Sequence, residues 1–109
     1  MKAEKSLLSG SAALLALSLL ATGDMYGYQM IAELEARSDH TFQMKEGTLY
    51  PILHALEKAK YLSAYQQEAP TGRVRKYYAI TPRGRELLSE KKAEWAQFSH
   101  GVDQVLSFT

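Results

Sequence analysis

The stretch PTGRVRKYYAITPRGREL, residues 70–87, combines turn residues, alternating strand residues and a helix start. Pro70 and Gly72 predict a turn, and the alternation that follows them predicts a β-strand. Thr81 and Pro82 match the pattern of a hydroxyl N-cap followed by a proline in the first helical position. The stretch therefore predicts the second strand of a hairpin, followed directly by a helix.

The same stretch concentrates positive charge in a chain whose total charge is nearly neutral. Five cations and no acid lie between Ala69 and Arg85, although the net charge of the chain is only +1. Strand alternation places cations on both faces of the hairpin tip and leaves Tyr78 and Ile80 at its apolar base. Basic side chains on a projecting hairpin suit phosphate groups, whereas the plain alternative is a solvated face.

Length and composition favour one folded domain. The 109 residues are 46% apolar and 23% charged, which is typical of a protein with a packed core. The chain has no cysteine, so disulfides, thiolate metal sites and cysteine nucleophiles are excluded. This composition suits a reducing compartment, and we expect a cytoplasmic protein.

The N-terminal segment, residues 1–24, has the charged start and apolar run of a secretory signal. Glu4 in the charged start and the lack of a small-x-small cleavage site argue against that interpretation. The apolar run of about fifteen residues is shorter than the roughly twenty that a bilayer requires. We therefore expect a first helix that is apolar on several sides and covered by the rest of the protein.

Two more helices are predicted before the hairpin. The second should begin with Asp24 as its cap and bury Tyr28, Ile31 and Leu34. The third should begin at Gly47 or Thr48, which places Pro51 in its first turn. A step of about 100° per residue separates a buried face of the third helix from a polar outward face. The buried face holds Leu49, Ile52, Leu53 and Leu56, and the outward face holds Tyr50, Pro51, His54 and Lys58.

The helix that starts at Pro82 is predicted to run to about Leu106, a length of about 40 Å, with Gly84 as a weak point in its first turn. Its apolar residues recur at nearly heptad spacing and would be exposed in a monomer, so we predict a homodimer. The alternative is that the helix breaks at Gly101 and folds back on the first helix. The apolar residues are Leu88, Trp95, Phe98, Val102, Val105 and Leu106.

The order helix, helix, helix, basic hairpin, long helix is that of a winged helix-turn-helix with a dimerising C-terminal helix. In order and spacing, the segments MYGYQMIAELE, EGTLYPILHALEK and GRVRKYYAITPRGRELL resemble the PadR family of bacterial transcriptional regulators. The chain is similar to the short branch of that family, in which one long helix follows the wing. Two positions depart from the family pattern: Ala59-Lys60 stands where Glu-Gly is common, and Val74 stands where proline is frequent.

The resemblance implies a mainly α fold with a small β-hairpin. It implies a winged helix-turn-helix DNA-binding domain over residues 1–81, whose first helix also contributes to the dimer, and a C-terminal dimerisation helix over residues 82–109. It further implies a regulator that binds operator DNA as a dimer, usually represses, and often releases DNA when a small molecule binds. Two other classes stay open: a winged-helix protein-interaction module and a nonspecific DNA-architectural protein.

The residues expected to contact double-stranded DNA lie on the third helix and the hairpin. A major groove admits one α-helix, so the polar face of the third helix is the predicted reading surface. The hairpin cations are predicted to bind phosphates as the wing. The predicted DNA-binding residues are Lys45, Thr48, Tyr50, His54, Arg73, Arg75 and Lys76.

Trp95 is open to two interpretations. It either fills the seam between two protomers or lines a pocket for a small hydrophobic or aromatic effector, as the resemblance to some short PadR-like proteins implies. Its predicted neighbours in such a pocket are Phe98, Leu8 and Leu15. The sequence contains no nucleophile-base constellation, glycine-rich phosphate loop or histidine pair at metal-ligand spacing, so no enzymatic activity, cofactor or metal is expected.

Overall fold

The predicted mainly α fold with a small hairpin is confirmed by the computed structural model, which describes residues 5–109 and side chains from residue 10 onward. Within that range, four helices accompany a three-stranded antiparallel sheet. In chain order the elements are α1 (Lys5–Leu20), β1 (Met25–Tyr26), α2 (Gly27–Arg37), α3 (Glu46–Lys58), β2 (Leu62–Glu68), β3 (Val74–Ile80) and α4 (Pro82–Leu106).

The hairpin of β2 and β3, residues 62–80, forms the wing, and its turn has the predicted composition. The Gly72 N–H donates to the Ala69 carbonyl at 2.8 Å, and the Ala69 N–H donates to the Arg73 carbonyl at 2.8 Å. Gly72 has φ +85°, a left-handed conformation that glycine adopts without steric cost. Arg73 therefore belongs to the turn, and the alternation of β3 begins only at Val74.

The sheet contains a third strand that the sequence did not predict. β1 pairs with β3, with Met25 opposite Tyr78 and Tyr26 opposite Tyr77, so the strand order is β1-β3-β2. Two residues are too few to show a period, which is why alternation could not reveal this strand. Its pairing attaches the start of α2 directly to the wing.

The core lies where α1 meets the other helices and the inner face of the sheet. Tyr78 is only 1% exposed, which agrees with its predicted place at the apolar base of the hairpin. The small residues Ala12 and Ala16 of α1 are buried, as expected for a helix that is closely covered. No helix in the described part of the chain is both long enough and apolar enough to cross a membrane. The largest fully buried side chains are Leu17, Leu20, Met30, Leu49, Leu53, Leu62 and Tyr78.

The start of α2 differs from the prediction. Tyr26, in an extended conformation, is the N-cap, and Asp24 instead accepts a hydrogen bond from the Tyr65 hydroxyl at 2.7 Å. The pairing of β1 carries the chain two residues further before the helix can begin. The buried face of α2 is consequently formed by Gly27, Met30 and Leu34, and Tyr28, which was predicted to be buried, is exposed.

The start of α3 is also earlier than predicted. Lys45 is the N-cap in place of Gly47 or Thr48, so the helix gains two or three residues at its N-terminus. Pro51 therefore lies in the second turn, where its missing N–H leaves the carbonyl four residues earlier without its usual helical partner. The predicted faces hold, since Leu49, Leu53 and Leu56 are buried while His54 is exposed.

The long C-terminal helix begins as predicted. The Thr81 hydroxyl accepts from the Gly84 N–H at 3.0 Å, and Leu88 anchors the first turns in the core. The predicted break at Gly101 is wrong, because α4 continues through this residue, although part of α4 does lie beside α1. Beyond Leu88 the apolar side chains are exposed, with Phe98 at 63% and Val105 at 69%, so α4 has an apolar stripe that the described part of the chain does not cover.

Gly84 provides a test of this packing. A Cβ atom at Gly84 would overlap the Tyr61 carbonyl and lie 2.8 Å from Ile80 Cγ1. Alanine is favoured over glycine in a helix by about 1 kcal/mol, but overpacking costs about 1–3 kcal/mol. We therefore expect Gly84→Ala to lower the free energy of unfolding, measured by urea denaturation.

The matched control is Gly47→Ala in the first turn of α3, where an added Cβ has no heavy atom within 4 Å. This variant should be at least as stable as the parent protein. Equal or greater stability of Gly84→Ala would contradict the proposed close approach of α4 to Tyr61.

Candidate nucleic-acid interface

The outward face of α3 and the wing share one depression, here called the wing groove, with a volume of about 470 Å³. The N-terminal end of α2 closes it on the third side. The groove thus joins the polar face of α3 and the basic hairpin in one surface. Its lining residues are Tyr26, Gly27, Tyr28, Tyr50, His54, Arg73, Val74, Arg75, Lys76 and Tyr78.

Tyr50 and His54 form the α3 side of the groove. They are one helical turn apart, and their ring centroids are separated by 6.4 Å. His54 is exposed, whereas Tyr50 is half-buried and its ring lies so close to Gly27 that any side chain there would overlap it. Burial raises the pKa of the Tyr50 hydroxyl, with a smaller contribution from the Glu46 carboxylate. Tyr50 therefore serves packing against α2 as well as the groove.

Lys45 and Thr48, also predicted to contact DNA, do not line the wing groove. Lys45 is exposed at the N-terminus of α3, beside a shallower depression that includes Tyr28, Ile31 and Glu46. Thr48 is half-buried in the first turn of α3. Both residues remain near the helix end that carries a partial positive charge, where phosphates are favoured.

The three predicted wing cations have different surroundings. Arg73 is exposed on the turn, and the Cζ atom of Arg75 lies 4.4 Å from the centroid of the Tyr26 ring. Lys76 Nζ lies 3.1 Å from a carboxylate oxygen of Glu57 on α3, and this hydrogen bond raises the pKa of Lys76. Among the residues that the structure describes, Arg73 and Arg75 make no ion pair. The charge available to an anion is therefore concentrated on the two arginines.

Tyr28 lines the groove, although the helical spacing predicts that it is buried. It is 56% exposed, and a hydrogen bond to Glu46 is the main cause that raises the pKa of its hydroxyl. The spacing of Gly27, Met30 and Leu34 is equally compatible with a buried helix face. If Gly27 is assigned to the buried face, the helical period places Tyr28 on the outward side, toward the groove.

The outer face of the sheet carries a tyrosine row formed by Tyr26, Tyr77 and Tyr65, one from each strand. Tyr77 meets Tyr26 edge-on with centroids 5.4 Å apart and stacks on Tyr65 with centroids 5.6 Å apart. The Tyr65 hydroxyl donates to Asp24, and this hydrogen bond raises the pKa of Tyr65. The row exists only because β1 pairs with β3, so the sequence alone could not place Tyr26 in it.

A second depression of about 460 Å³ lies between α1 and α4 and includes the predicted effector residues Trp95 and Phe98. Their ring centroids are 6.0 Å apart. Leu15 does not line this α1/α4 groove, because Leu14 lies on the same helical face as Gly10 and points there instead. The side chain of Leu8 lies outside the described residues. The full lining is Gly10, Ser11, Leu14, Lys91, Glu94, Trp95 and Phe98.

The side chains that line these two grooves are suited to binding a ligand or a partner. Aromatic faces, hydroxyl groups and arginines dominate the wing groove, whereas apolar side chains with Lys91 and Glu94 dominate the α1/α4 groove. Among the described side chains, no three His, Asp or Glu residues lie close enough together to hold a metal ion.

Comparison with known proteins gives a consistent result. Residues 16–90 match the Transcriptional regulator PadR-like family. An uncharacterized protein of Lysinibacillus sphaericus is 40% identical over 87 residues, which are 80% of this chain and 80% of that protein. The transcriptional regulator Rv3488 of Mycobacterium tuberculosis is 39% identical over 82 residues, 75% of this chain and 73% of that protein. The solved structure of a transcriptional regulator from Clostridium thermocellum has a TM-score of 0.84 and 32% identity, covering 92% of this chain and 97% of that one.

Proposed function

Because the chain belongs to the PadR-like family of transcriptional regulators, we propose that it is a repressor that binds operator DNA as a homodimer. In this proposal a small hydrophobic or aromatic effector releases the protein from DNA. Family membership makes the protein a DNA-binding transcriptional regulator and not an enzyme. We place its activity in the cytoplasm, where a bacterial operator is accessible.

The observation that supports the DNA-binding surface is the shared groove of α3 and the wing. His54 and Tyr50 are proposed to reach base edges from α3, while Arg73 and Arg75 bind phosphates from the wing. Lys45 and Thr48 are proposed to contact the backbone at the N-terminus of α3. Lys76 has a smaller proposed role, because Glu57 already neutralises its charge.

The salt dependence of binding tests this assignment. Three to five phosphate contacts per protomer should give log affinity against log salt a slope of about −5 to −9 for a dimer. We expect Arg75→Ala to weaken binding to all sequences and to flatten the slope by about 2, because one contact is lost from each protomer. His54→Ala should instead change the preference among operator variants. The measurement is an electrophoretic shift on DNA upstream of the protein's own coding region, titrated with salt and competitor DNA.

The matched control is Arg83→Ala. Arg83 also lies over a tyrosine ring, 4.8 Å from the centroid of Tyr61, but it does not line the wing groove. Its loss should therefore change affinity and slope less than the loss of Arg75. Equal affinity of Arg75→Ala and the parent protein at every salt concentration would contradict the wing assignment. Binding without preference for the upstream DNA would favour the architectural alternative, and no binding would favour the protein-interaction module.

The proposed homodimer rests on the apolar stripe of α4. Phe98, Val102, Val105 and Leu106 line one continuous apolar depression beyond the core. An exposed stripe of this length is unusual in a monomer, and a second copy of the same helix would cover it. The partner helix would also lie near the α1/α4 groove, since Phe98 lines both depressions.

Sedimentation equilibrium tests the dimer. We expect the parent protein to have twice the mass of one chain. Val105→Asp should shift the equilibrium toward the monomer, because burying an unpaired carboxylate in the dimer interface is unfavourable. His100→Asp is the matched control, since His100 lies on the opposite side of α4. A parent protein that stays monomeric at all concentrations would contradict this part of the proposal.

The proposed effector site is the α1/α4 groove. Trp95 and Phe98 provide aromatic faces for a flat ligand, while Lys91 and Glu94 provide charge at the same site. Binding at this site is proposed to change the angle between α4 and α1, and thereby the separation of the two wings in a dimer.

Anilinonaphthalene sulfonate is a suitable aromatic probe for this site. We expect it to quench the fluorescence of Trp95, the single tryptophan of the chain, and to weaken the electrophoretic shift. Trp95→Leu should reduce probe affinity measured by calorimetry, because the ligand loses a stacking surface. Phe108→Leu is the control, since Phe108 is 91% exposed and lies outside the groove. Unchanged probe affinity in Trp95→Leu would show that Trp95 only packs.

A further inference from the structure

Arg75 is held against the ring of Tyr26 in a way that leaves its hydrogen-bond donors available. Its Cζ atom lies over the Tyr26 ring, 4.4 Å from the centroid, which is within the range of a cation–π contact. Within the described part of the chain the side-chain hydrogen bonds of the arginines and lysines come from Arg37 and Lys76 and none from Arg75, so its N–H groups remain free for a phosphate. Among the described residues, no carboxylate pairs with Arg75.

Tyr26 is itself fixed from several sides. Backbone pairing sets it opposite Tyr77, whose ring contacts it edge-on. Tyr77 stacks on Tyr65, and the Tyr65 hydroxyl is bonded to Asp24, two residues before Tyr26. Tyr26 is also the N-cap of α2, so its position is tied to the helix-turn-helix. The contact with Arg75 therefore connects the wing to the helical part of the wing groove.

The neighbouring cations, Lys76 and Arg73, have different surroundings from Arg75. Lys76 is also held, but by Glu57, which cancels the charge that a phosphate would use. Arg73 is exposed on the turn and makes no ion pair within the described part of the chain. Arg75 combines a fixed position with an uncompensated charge. A side chain that is ordered before binding loses less conformational entropy when it contacts DNA.

We propose that Tyr26 is a positioning residue, whose ring holds the Arg75 guanidinium ready for a DNA phosphate. This inference rests on the proposed function, in which Arg75 contacts phosphate. It adds a residue that acts through Arg75 without touching DNA. The remainder of the tyrosine row supports the Tyr26 ring and has no contact with Arg75 of its own.

A double-mutant cycle of Tyr26→Leu and Arg75→Ala tests the proposal by electrophoretic shift on the same upstream DNA. Loss of the ring should weaken binding by about two- to fivefold per wing, or roughly 4- to 25-fold for a dimer. In the Arg75→Ala background, Tyr26→Leu should weaken binding no further, because the residue it positions is absent. Tyr26→Phe keeps the ring and should bind the DNA with nearly the affinity of the parent protein.

Tyr65→Leu is the matched control. It removes a tyrosine from the same face of the same sheet and breaks the stack with Tyr77, but the ring that Arg75 contacts is that of Tyr26. Because Tyr65 supports the Tyr26 ring only through Tyr77, its loss should weaken DNA binding less than Tyr26→Leu does, whereas a general effect of weakening the sheet would lower the affinity of both variants equally.

An equal loss on Tyr26→Leu with and without Arg75 would overturn the proposal, while leaving the DNA-binding function intact. A parent protein that does not shift the DNA would instead refute the proposed function itself.

Discussion

The burial of Tyr78 is the interaction on which the rest of the wing depends. Tyr78 lies in the central strand, with Met25 of β1 on one side and Ala64 of β2 on the other. Since successive side chains of a strand point to opposite faces, an inward Tyr78 requires Tyr77 and Arg75 to point outward. A shift of one residue in register would exchange the two faces, placing Arg75 against the core and Tyr78 in water. The burial of Tyr78 thus determines the face of the sheet on which Arg75 lies.

The two cations of β3 both connect the wing to the helices, by different means. Lys76, on the same face as Tyr78 but nearer the tip, reaches Glu57 on α3. Arg75, on the other face, lies over Tyr26 at the start of α2. A wing held on both faces has a defined distance from α3, as the proposed contact of both with one DNA duplex requires. Exposed ion pairs contribute little to stability, so the value of these contacts lies mainly in positioning.

The direction of α4 is set where it leaves the wing. The Thr81 hydroxyl accepts from the Gly84 N–H and donates to the Lys60 and Tyr61 carbonyls, and Gly84 lets the helix approach Tyr61 closely. The first turns of α4 therefore belong to the same core as the helix-turn-helix, through Leu88. Beyond them the helix projects with its apolar stripe exposed, which explains why the chain extends 57 Å in one direction and only 30 Å in the next. The proposed boundary at residue 81 thus divides two roles rather than two cores.

The sequence by itself determined the features that repeat with a regular period or depend on a short local pattern. Alternation in β3, the apolar stripe of α3, the Pro70–Gly72 turn and the Thr81-Pro82 helix start each appear in consecutive residues, and the structure confirms them. Tertiary structure alone decided the remainder, because it depends on residues that are distant in sequence. β1 exists only through its pairing with β3, and that pairing moved the start of α2, turned Tyr28 outward and placed Tyr26 beneath Arg75. Likewise, the packing of distant elements decides that Lys76 pairs with Glu57 and that Leu14, not Leu15, lines the α1/α4 groove. No local pattern specifies how these elements approach one another.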